Sequence, residues 1–237
     1  MHRIIAIETA TDVCSVAIFL ADELVSIHSI DRPKSHAEQL VSMIRRSLEE
    51  AGFEARDLDA IAVSSGPGSY TGLRIGVSTA KGLAFAVGAR IIAVPSLEAL
   101  AYGAMSTNSG SAVVAVSPSR RNELYTAVFR SGADGLPRRI LPEVAMQADD
   151  LGELLAAENI QSGIIVGTGG QQAFNALPDS SAFEVVDIAP SAEFVGRCAL
   201  PRARRGDFVD TSSFEPYYLK DFQARKKTGS AFDRLPF

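Results

Sequence analysis

The chain has 237 residues, of which 46% are apolar and 22% are charged, and its formal net charge is −5. This composition excludes a largely disordered protein, because it supplies enough apolar side chains for a sizeable core. The negative charge excludes a general attraction to phosphate backbones, so any contact with nucleic acid has to be local or made through a partner. The length suits one large domain or two lobes of about 100 residues each.

The cysteines and the N-terminal segment indicate where the protein works. Cys14 and Cys198 form no CxxC pair, so we expect buried, reduced thiols. Glu8 follows a short apolar run that cannot serve as a signal peptide. No apolar stretch reaches the about 18 residues that a membrane span requires. We therefore expect a cytoplasmic protein that does not act at a membrane.

The first part of the chain predicts three strands followed by alternating helices and strands. Strands are predicted at 4–7, 13–20, 24–30, 59–63 and 90–94, and helices at 37–51, 72–87 and 96–102. Ser35 and Glu38 fit a capping box at the start of the first helix, and Gly52 fits its end. A small polar stretch, 107–110, then suits a lobe boundary.

The same order of elements is predicted again in the rest of the chain. Strands are predicted at 112–116, 123–129, 139–141, 164–166 and 183–186, and helices at 147–158, up to 176 and at 191–203. A repeated βββαβαβα order favours an α/β protein with two similar lobes, each a mixed sheet covered by helices, and a cleft between them. The predicted limits are 1–106 for the first lobe, 107–220 for the second and 221–237 for a basic terminal arm, expected to be solvated.

A glycine-rich loop between a strand and a helix is the most informative segment. Residues 64–76, SSGPGSYTGLRIG, can present backbone N–H groups and a helix N-terminus to an anion. The glycine spacing is one residue too long for a dinucleotide fingerprint, and no Gly-Lys-Ser/Thr closes a Walker A loop. A tight turn that needs glycine and an anion or nucleotide site both stay open. The candidate residues for this site are Glu8, Thr9, Gly66, Gly68, Ser69, Thr71, Gly72 and Arg74.

The helix after this loop has small residues at every fourth position, from Gly72 to Gly88. Glycine costs about 1 kcal/mol relative to alanine in a helix, so Gly76 and Gly82 need a structural reason. Close approach of another backbone is such a reason, either inside the same lobe or at a contact with another subunit. For a subunit contact, the candidate residues are His36, Leu40, Met43, Ile44, Leu73, Gly76, Val77 and Ala80.

The loop and helix together resemble the signature of the TsaB family. Residues 66–84, GPGSYTGLRIGVSTAKGLA, carry the likeness most specifically. Further similar segments lie at 4–19, 35–40, 94–101, 122–129 and 214–220. The resemblance implies the actin/hexokinase-like (ASKHA) fold and a role in adding a threonylcarbamoyl group to the adenosine beside the tRNA anticodon. It also implies a TsaD-like catalytic partner bound through first-lobe helices, a TsaE-like ATPase and tRNA contact only within the complex. A homodimer stays open.

Two of the residues expected for catalysis by this fold are replaced. Phosphotransferases of this fold follow the first strand with a carboxylate and a glycine, whereas Glu8 is followed here by Thr9 and Ala10. Pro118 stands where the family often has an aspartate, and proline offers neither a side-chain oxygen nor an N–H. The resemblance therefore implies no catalytic residues. An active ATP-binding phosphotransferase is the first alternative.

A glycoprotease-like hydrolase is the second alternative. Relatives of the TsaD type hold a metal with two histidines on one helix, whereas His2, His28 and His36 show no such spacing. We therefore expect no metal site. The segment 167–170 is either a remnant of an adenosine-binding loop or a strand-to-helix turn. ATP or ADP, bound weakly at a subunit interface, is the one cofactor left open.

Overall fold

The computed structural model describes residues 3–105 and 111–220. The strands in this part of the chain are β1 Arg3–Glu8, β2 Val13–Leu20, β3 Glu23–Asp31, β4 Ala60–Ser64, β5 Arg90–Val94, β6 Ala112–Pro118, β7 Glu123–Ser131, β8 Pro137–Gln147, β9 Gly163–Val166 and β10 Phe183–Val186. The helices are α1 His36–Ala51, α2 Tyr70–Val87, α3 Ser96–Met105, α4 Leu151–Ala157, α5 Gly170–Ala176 and α6 Ala192–Arg205.

The strands form two five-stranded sheets with the same topology. The first sheet has the order β3-β2-β1-β4-β5 and the second has β8-β7-β6-β9-β10. In each sheet the first three strands in sequence are antiparallel neighbours, and the last two pair in parallel. The predicted α/β fold with a duplicated βββαβαβα order and two mixed sheets is thereby confirmed. The lobe boundary after 106 and the basic arm at 221–237 lie outside the described residues.

Each half of the chain sends its last helix to the sheet of the other half. Helices α1 and α2 cover one face of the first sheet, and α6 covers the opposite face. Helix α3 packs on the second sheet, through Leu97 and Leu100 among others. The rings of Tyr102 and Phe194 lie 6.3 Å apart, and Arg202 pairs with Glu98 at 2.8 Å, so α3 and α6 also contact each other. These two helices join the lobes behind the cleft.

The predicted capping box at α1 is wrong. Ser35 adopts a helical conformation, with φ −88° and ψ −13°, and its side chain makes no cap hydrogen bond. Its hydroxyl donates instead to the carbonyl of Arg32, at 2.7 Å. Glu38 lies 3.7 Å from the Arg32 guanidinium rather than reaching back to the helix start. Gly52 ends the helix at φ 69°, as glycine permits.

Three other element boundaries differ from the prediction. Helix α2 begins at Tyr70, because the Ser69 side chain accepts a hydrogen bond from the Gly72 N–H at 3.3 Å and caps the helix there. Strand β8 is longer than predicted and extends to Gln147. A short 3₁₀ turn follows it, so α4 begins at Leu151 rather than at 147. Among the described residues, no helix combines the length and the apolar character that crossing a membrane requires.

Candidate functional site

The two lobes enclose a cleft with a volume of about 1190 Å³. The first lobe lines it with the turn after β1, at 10–13, and with the glycine-rich loop at 67–70. The second lobe lines it with the β6–β7 turn at 117–121 and with residues 187–190. Residues 217–220 form a further part of the wall. A space of this size accommodates a small-molecule ligand.

The backbone of the glycine-rich loop is already hydrogen-bonded inside the protein. The N–H of Ser65 donates to the Val94 carbonyl at 2.8 Å, and that of Ser69 donates to the Ala10 carbonyl at 2.7 Å. The N–H of Gly66 donates to the Ser96 hydroxyl at 3.1 Å. These three amides are therefore not available to an anion, which favours the interpretation of the loop as a tight turn.

Gly66 shows why this turn needs glycine. Its φ is +115°, which side chains rarely adopt, and a Cβ there would overlap the carbonyl oxygen of Tyr217. The peptide bond between Gly66 and Pro67 is cis. Of the eight residues predicted for an anion or nucleotide site, Gly68 and Ser69 line the cavity. Thr71 is exposed on the first turn of α2, and Gly72 is buried there.

Glu8 lies beneath the cleft rather than in its wall. Its side chain is buried, and the Ala10 N–H donates to its Oε1 atom at 2.6 Å. Burial raises the pKa of this carboxyl to about 7, although hydrogen bonds from Ala10, Ser64 and Thr9 act in the opposite direction. The carboxyl therefore holds the turn after β1 and does not line the cavity.

Thr9 explains the stripe of small residues on α2. A Cβ at Gly72 would overlap the Thr9 carbonyl oxygen, and a Cβ at Gly76 would overlap the Thr9 hydroxyl. Similarly, a Cβ at Gly68 would overlap the Ala10 carbonyl oxygen. The close approach that these glycines permit is thus made to the turn after β1, inside the first lobe.

The eight predicted interface residues are buried in the first lobe. Five of them belong to the core between α1, α2 and the first sheet: Leu40, Met43, Ile44, Val77 and Ala80. Leu73 and Gly76 are buried as well, and His36 contacts the Val13 carbonyl through Nε2 at 3.2 Å. These eight side chains therefore pack inside the first lobe, and their part in a subunit contact stays a prediction. Their helical spacing identifies the face that packs on the sheet, since burial follows the same period as hydrophobicity.

The solvent side of α1 and α2 carries a different apolar set. Phe85 on α2 is 89% exposed, and Val41 on α1 is 65% exposed. Gly82 lies one turn before Phe85 and has no atom within 4 Å of the position of a Cβ. We name Val41, Gly82 and Phe85 the outer face. The sequence offered one signal for it, because Phe85 falls off the stripe of buried small residues on the same helix.

An aromatic stack extends from the glycine-rich loop to the C-terminal part of the chain. The Arg74 guanidinium lies 4.5 Å from the centre of the Tyr70 ring, and the Tyr70 and Tyr218 ring centres are 5.0 Å apart. Arg74 therefore contacts the start of its own helix, and its role toward an anion stays a prediction. We name residues 207–220 the C-terminal strap. Sequence reasoning missed its tyrosines as cleft residues, because the segment has no apolar period.

The second lobe contributes a different wall. Pro118, Arg120 and Tyr125 line the cavity, and so does Thr168 in the turn before α5. Gly167 has φ +116°, and a Cβ there would overlap the Val116 carbonyl oxygen, which favours a strand-to-helix turn at 167–170. Within residues 3–105 and 111–220, no three His, Cys, Asp or Glu side chains come together as a set that could hold a metal ion.

Comparisons with known proteins agree with the geometry of this two-lobed chain. The sequence model of a family described as TsaD, tRNA N6-adenosine threonylcarbamoyltransferase, matches residues 30–179. The tRNA threonylcarbamoyladenosine biosynthesis protein TsaB of Escherichia coli (strain K12) is 32% identical over 228 residues, covering 95% of this chain and 97% of that protein. The chain belongs to the TsaB family.

Two further relatives support membership of the TsaB family. The TsaB protein of Haemophilus influenzae is 30% identical over 242 residues, which cover 94% of this chain and 96% of that protein. The solved structure of YeaZ from Pseudomonas aeruginosa has a TM-score of 0.83 and 29% identity, and the match covers 92% of this chain and 100% of YeaZ. The family resemblance carried by residues 66–84 is thereby confirmed, and it extends over both lobes.

Proposed function

We propose that this TsaB-family chain takes part in the synthesis of threonylcarbamoyladenosine in tRNA, as a non-catalytic subunit required by a TsaD-like enzyme. Its relatives over nearly the whole length are named as biosynthesis proteins for this modified nucleoside. A family model named for the transferase itself matches residues 30–179, which is in keeping with a common ancestor of the two subunits. A chain related to an enzyme but lacking its reactive groups is well suited to bind and support that enzyme.

The exposed Phe85 is the observation that carries the partner role. An aromatic side chain that is 89% exposed on a well-packed helix gains little from its own lobe. Aromatic residues of this kind contribute strongly to interfaces when a partner buries them. Gly82 leaves open space beside it, so the helix of a partner can approach closely. The TsaD-like subunit docks on this outer face of α1 and α2.

The state of Glu8 supports the absence of catalysis in this subunit. A phosphotransferase would need this carboxylate at the cleft for a metal-bound phosphate, whereas here it is buried and bonded to the Ala10 N–H. On the opposite wall, Pro118 supplies no carboxylate. The TsaE-like ATPase, ATP or ADP and the tRNA are then engaged by the assembled complex, with nucleotide held at a subunit interface. A second copy of this chain occupies the outer face when the enzyme is absent.

The test is a modification assay with purified components. The host's TsaD-like protein is co-purified with this chain, and threonylcarbamoyladenosine in tRNA is measured with and without it. We expect a complex and modification that depends on the chain. Full modification in cells that lack the gene would contradict the proposal. Hydrolysis of ATP or of a peptide by the isolated chain, abolished by Glu8→Ala, would instead support one of the two catalytic alternatives.

A further inference from the structure

The first part of the C-terminal strap is bonded to β5 and to α2 of the first lobe. The Val209 N–H donates to the Ile91 carbonyl at 3.0 Å, beside the edge strand β5. Lys81 on α2 then donates from Nζ to the carbonyls of Ser212 and Phe214, at 3.1 and 2.8 Å. Such charge-assisted hydrogen bonds fix the course of a segment that has no regular structure. The strap therefore runs along the helix that carries the outer face.

The middle of the strap contacts the glycine-rich loop at the cleft. The Tyr217 N–H donates to the Ser65 carbonyl at 2.7 Å, and the Tyr217 carbonyl lies against Gly66. The Tyr218 ring packs on Tyr70, and its hydroxyl is buried without a hydrogen-bond partner in the described part of the chain. These contacts place the strap in the cleft wall while it is still held by the first lobe.

The end of the strap is bonded to the second lobe. The Lys220 ammonium pairs with Oε2 of Glu123 on β7, and both side chains are partly buried. The other carboxylate oxygen of Glu123 accepts a hydrogen bond from Gln147 Nε2 at 3.2 Å, which fixes its orientation. Between Tyr217 and Lys220 the strap therefore passes from one lobe to the other across the cleft.

We propose that the C-terminal strap is a latch between the lobes, closed by the Lys220–Glu123 pair, and that it couples cleft opening to partner docking on α2. Lys81, which holds the strap, and Phe85, which is exposed for docking, are four residues apart and lie side by side on the helix. A partner that binds Phe85 thus acts on the helix to which the strap is bonded. The docking half of this inference rests on the proposed function, whereas the latch itself does not.

Coupling of this kind is reciprocal. Suppose that docking of the partner shifts the equilibrium between a closed and an open cleft by some factor. Closing the latch then changes the affinity for the partner by that same factor, so a variant that releases the latch must alter this affinity. A single ion pair that is partly shielded from water contributes modestly, so we expect its loss to change the affinity by about fivefold. The same loss should widen the distribution of distances between the lobes in the free chain.

The experiment measures interlobe distances by spin labelling of the full chain. Glu49→Cys on α1 and Glu158→Cys after α4 place one label on each lobe at exposed positions. The native Cys14 and Cys198 are buried and do not compete for the label. Pulsed electron resonance then gives the distance distribution, and calorimetry with the TsaD-like protein gives the affinity.

Three variants decide the outcome. Lys220→Glu places two carboxylates together. It should broaden the distribution of interlobe distances and weaken binding of the TsaD-like protein about fivefold. Combining it with Glu123→Lys restores an ion pair and should restore both readouts. Arg56→Glu is the matched control, since it breaks an exposed ion pair with Glu54, 2.8 Å apart, that lies outside the strap and the cleft. It should change neither readout.

Each result either supports or overturns the inference. Unchanged distances in Lys220→Glu, or no restoration in the charge swap, would overturn the latch. Broadened distances with an unchanged affinity would overturn the coupling. If the wild-type chain binds no TsaD-like protein, the proposed function fails, while the distance measurement in the free chain still tests the latch. Folding of every variant is checked by its unfolding transition.

Discussion

The hydroxyl of Thr9 lies against the Cα of Gly76, where a methyl group would overlap it. This hydroxyl is buried and has no hydrogen-bond partner among the described residues, so packing is the main role of the contact. Gly76 is therefore required by a neighbour inside its own lobe. A bulky substitution at Gly76 consequently tests the packing of the lobe and does not report on a subunit interface.

The first prediction concerns this contact. Gly76→Ala should lower the free energy of unfolding by about 2 kcal/mol, because the added methyl group forces apart two packed elements. Thr9→Ala removes the overlapping atom and loses no hydrogen bond, so the double variant should be more stable than the sum of the two single effects. Urea unfolding of the four proteins in this cycle measures the coupling.

Gly82 supplies the control for the same helix. Its side-chain position is open, so Gly82→Ala should raise the free energy of unfolding by about 0.5 to 1 kcal/mol through helix propensity. Equal destabilisation by Gly76→Ala and Gly82→Ala would show that the two glycines do not differ in their surroundings.

The second prediction concerns the outer face. Phe85→Ala should leave the free energy of unfolding within about 0.5 kcal/mol of the wild type, because the ring is exposed. It should weaken binding to the TsaD-like protein by about 2 kcal/mol, which is roughly 30-fold, as expected for an aromatic residue buried by a partner. Calorimetry with the purified proteins measures this change.

Ile140 on β8 provides a matched exposed apolar residue on the other lobe, at 37% exposure. Ile140→Ala should bind the partner like the wild type. A Phe85→Ala variant that retains full affinity would remove the outer face from the proposed interface.

The third prediction concerns pH and Glu8. The pKa of this carboxyl is about 7 in the folded chain, against an ordinary value of 4.5. Between these two pH values the folded protein keeps a proton on Glu8 that the unfolded chain has already lost. The protonated carboxyl therefore contributes a stability that is fully present below pH 4.5 and is lost as the pH rises through 7. The associated loss of unfolding free energy is up to about 3 kcal/mol.

Glu8→Gln tests this pH dependence, because the neutral amide keeps an oxygen for the Ala10 N–H. The variant should match the wild type at about pH 5 and be more stable at about pH 8, as measured by urea unfolding at both values. Glu49→Gln, at an exposed carboxyl on α1, should keep the wild-type pH dependence. If the free energy of unfolding changed by the same amount in the wild type and in Glu8→Gln between about pH 5 and about pH 8, the assigned pKa would be disproved.

The fourth prediction concerns Lys81. Lys81→Met keeps the apolar stem but removes both hydrogen bonds to the strap carbonyls, so it should cost about 1 to 3 kcal/mol of local stability. Hydrogen exchange should show faster exchange of the amides at 209–217 and little change in β1. Lys34→Met, at an exposed lysine before α1, should leave exchange in this segment unchanged. Equal exchange rates in both variants would show that Lys81 does not hold the strap.

The sequence predicted the two-lobed fold well because its signals are local. Alternating and helical apolar periods identified the strands and helices in order, and Gly52 marked the end of α1 correctly. The capping box failed because Ser35 and Glu38 have other partners in space, around Arg32. A motif of four residues cannot show which of several nearby acceptors a hydroxyl will choose.

The site was less predictable than the fold, for a related reason. Apolar periodicity selects side chains that become buried, so it chose Leu40 and Val77 and overlooked Phe85, whose value to a partner depends on exposure. The role of the strap was overlooked because most of its contacts use backbone N–H and carbonyl groups, which leave no trace in the residue types of the segment. Only the fold brings Lys220 to Glu123, which lie 97 positions apart in the sequence.

The exchange of α3 and α6 between the halves has a consequence for truncated forms of the chain. A product that stops near residue 105 would present α3 with no sheet beneath it and would leave one face of its own sheet without α6. A product that contains only the rest of the chain would present α6 with no sheet beneath it, and its own sheet would lack α3. Neither piece is expected to remain in solution when made separately. The two pieces produced together in one cell should reassemble, because each supplies the helix that covers the sheet of the other.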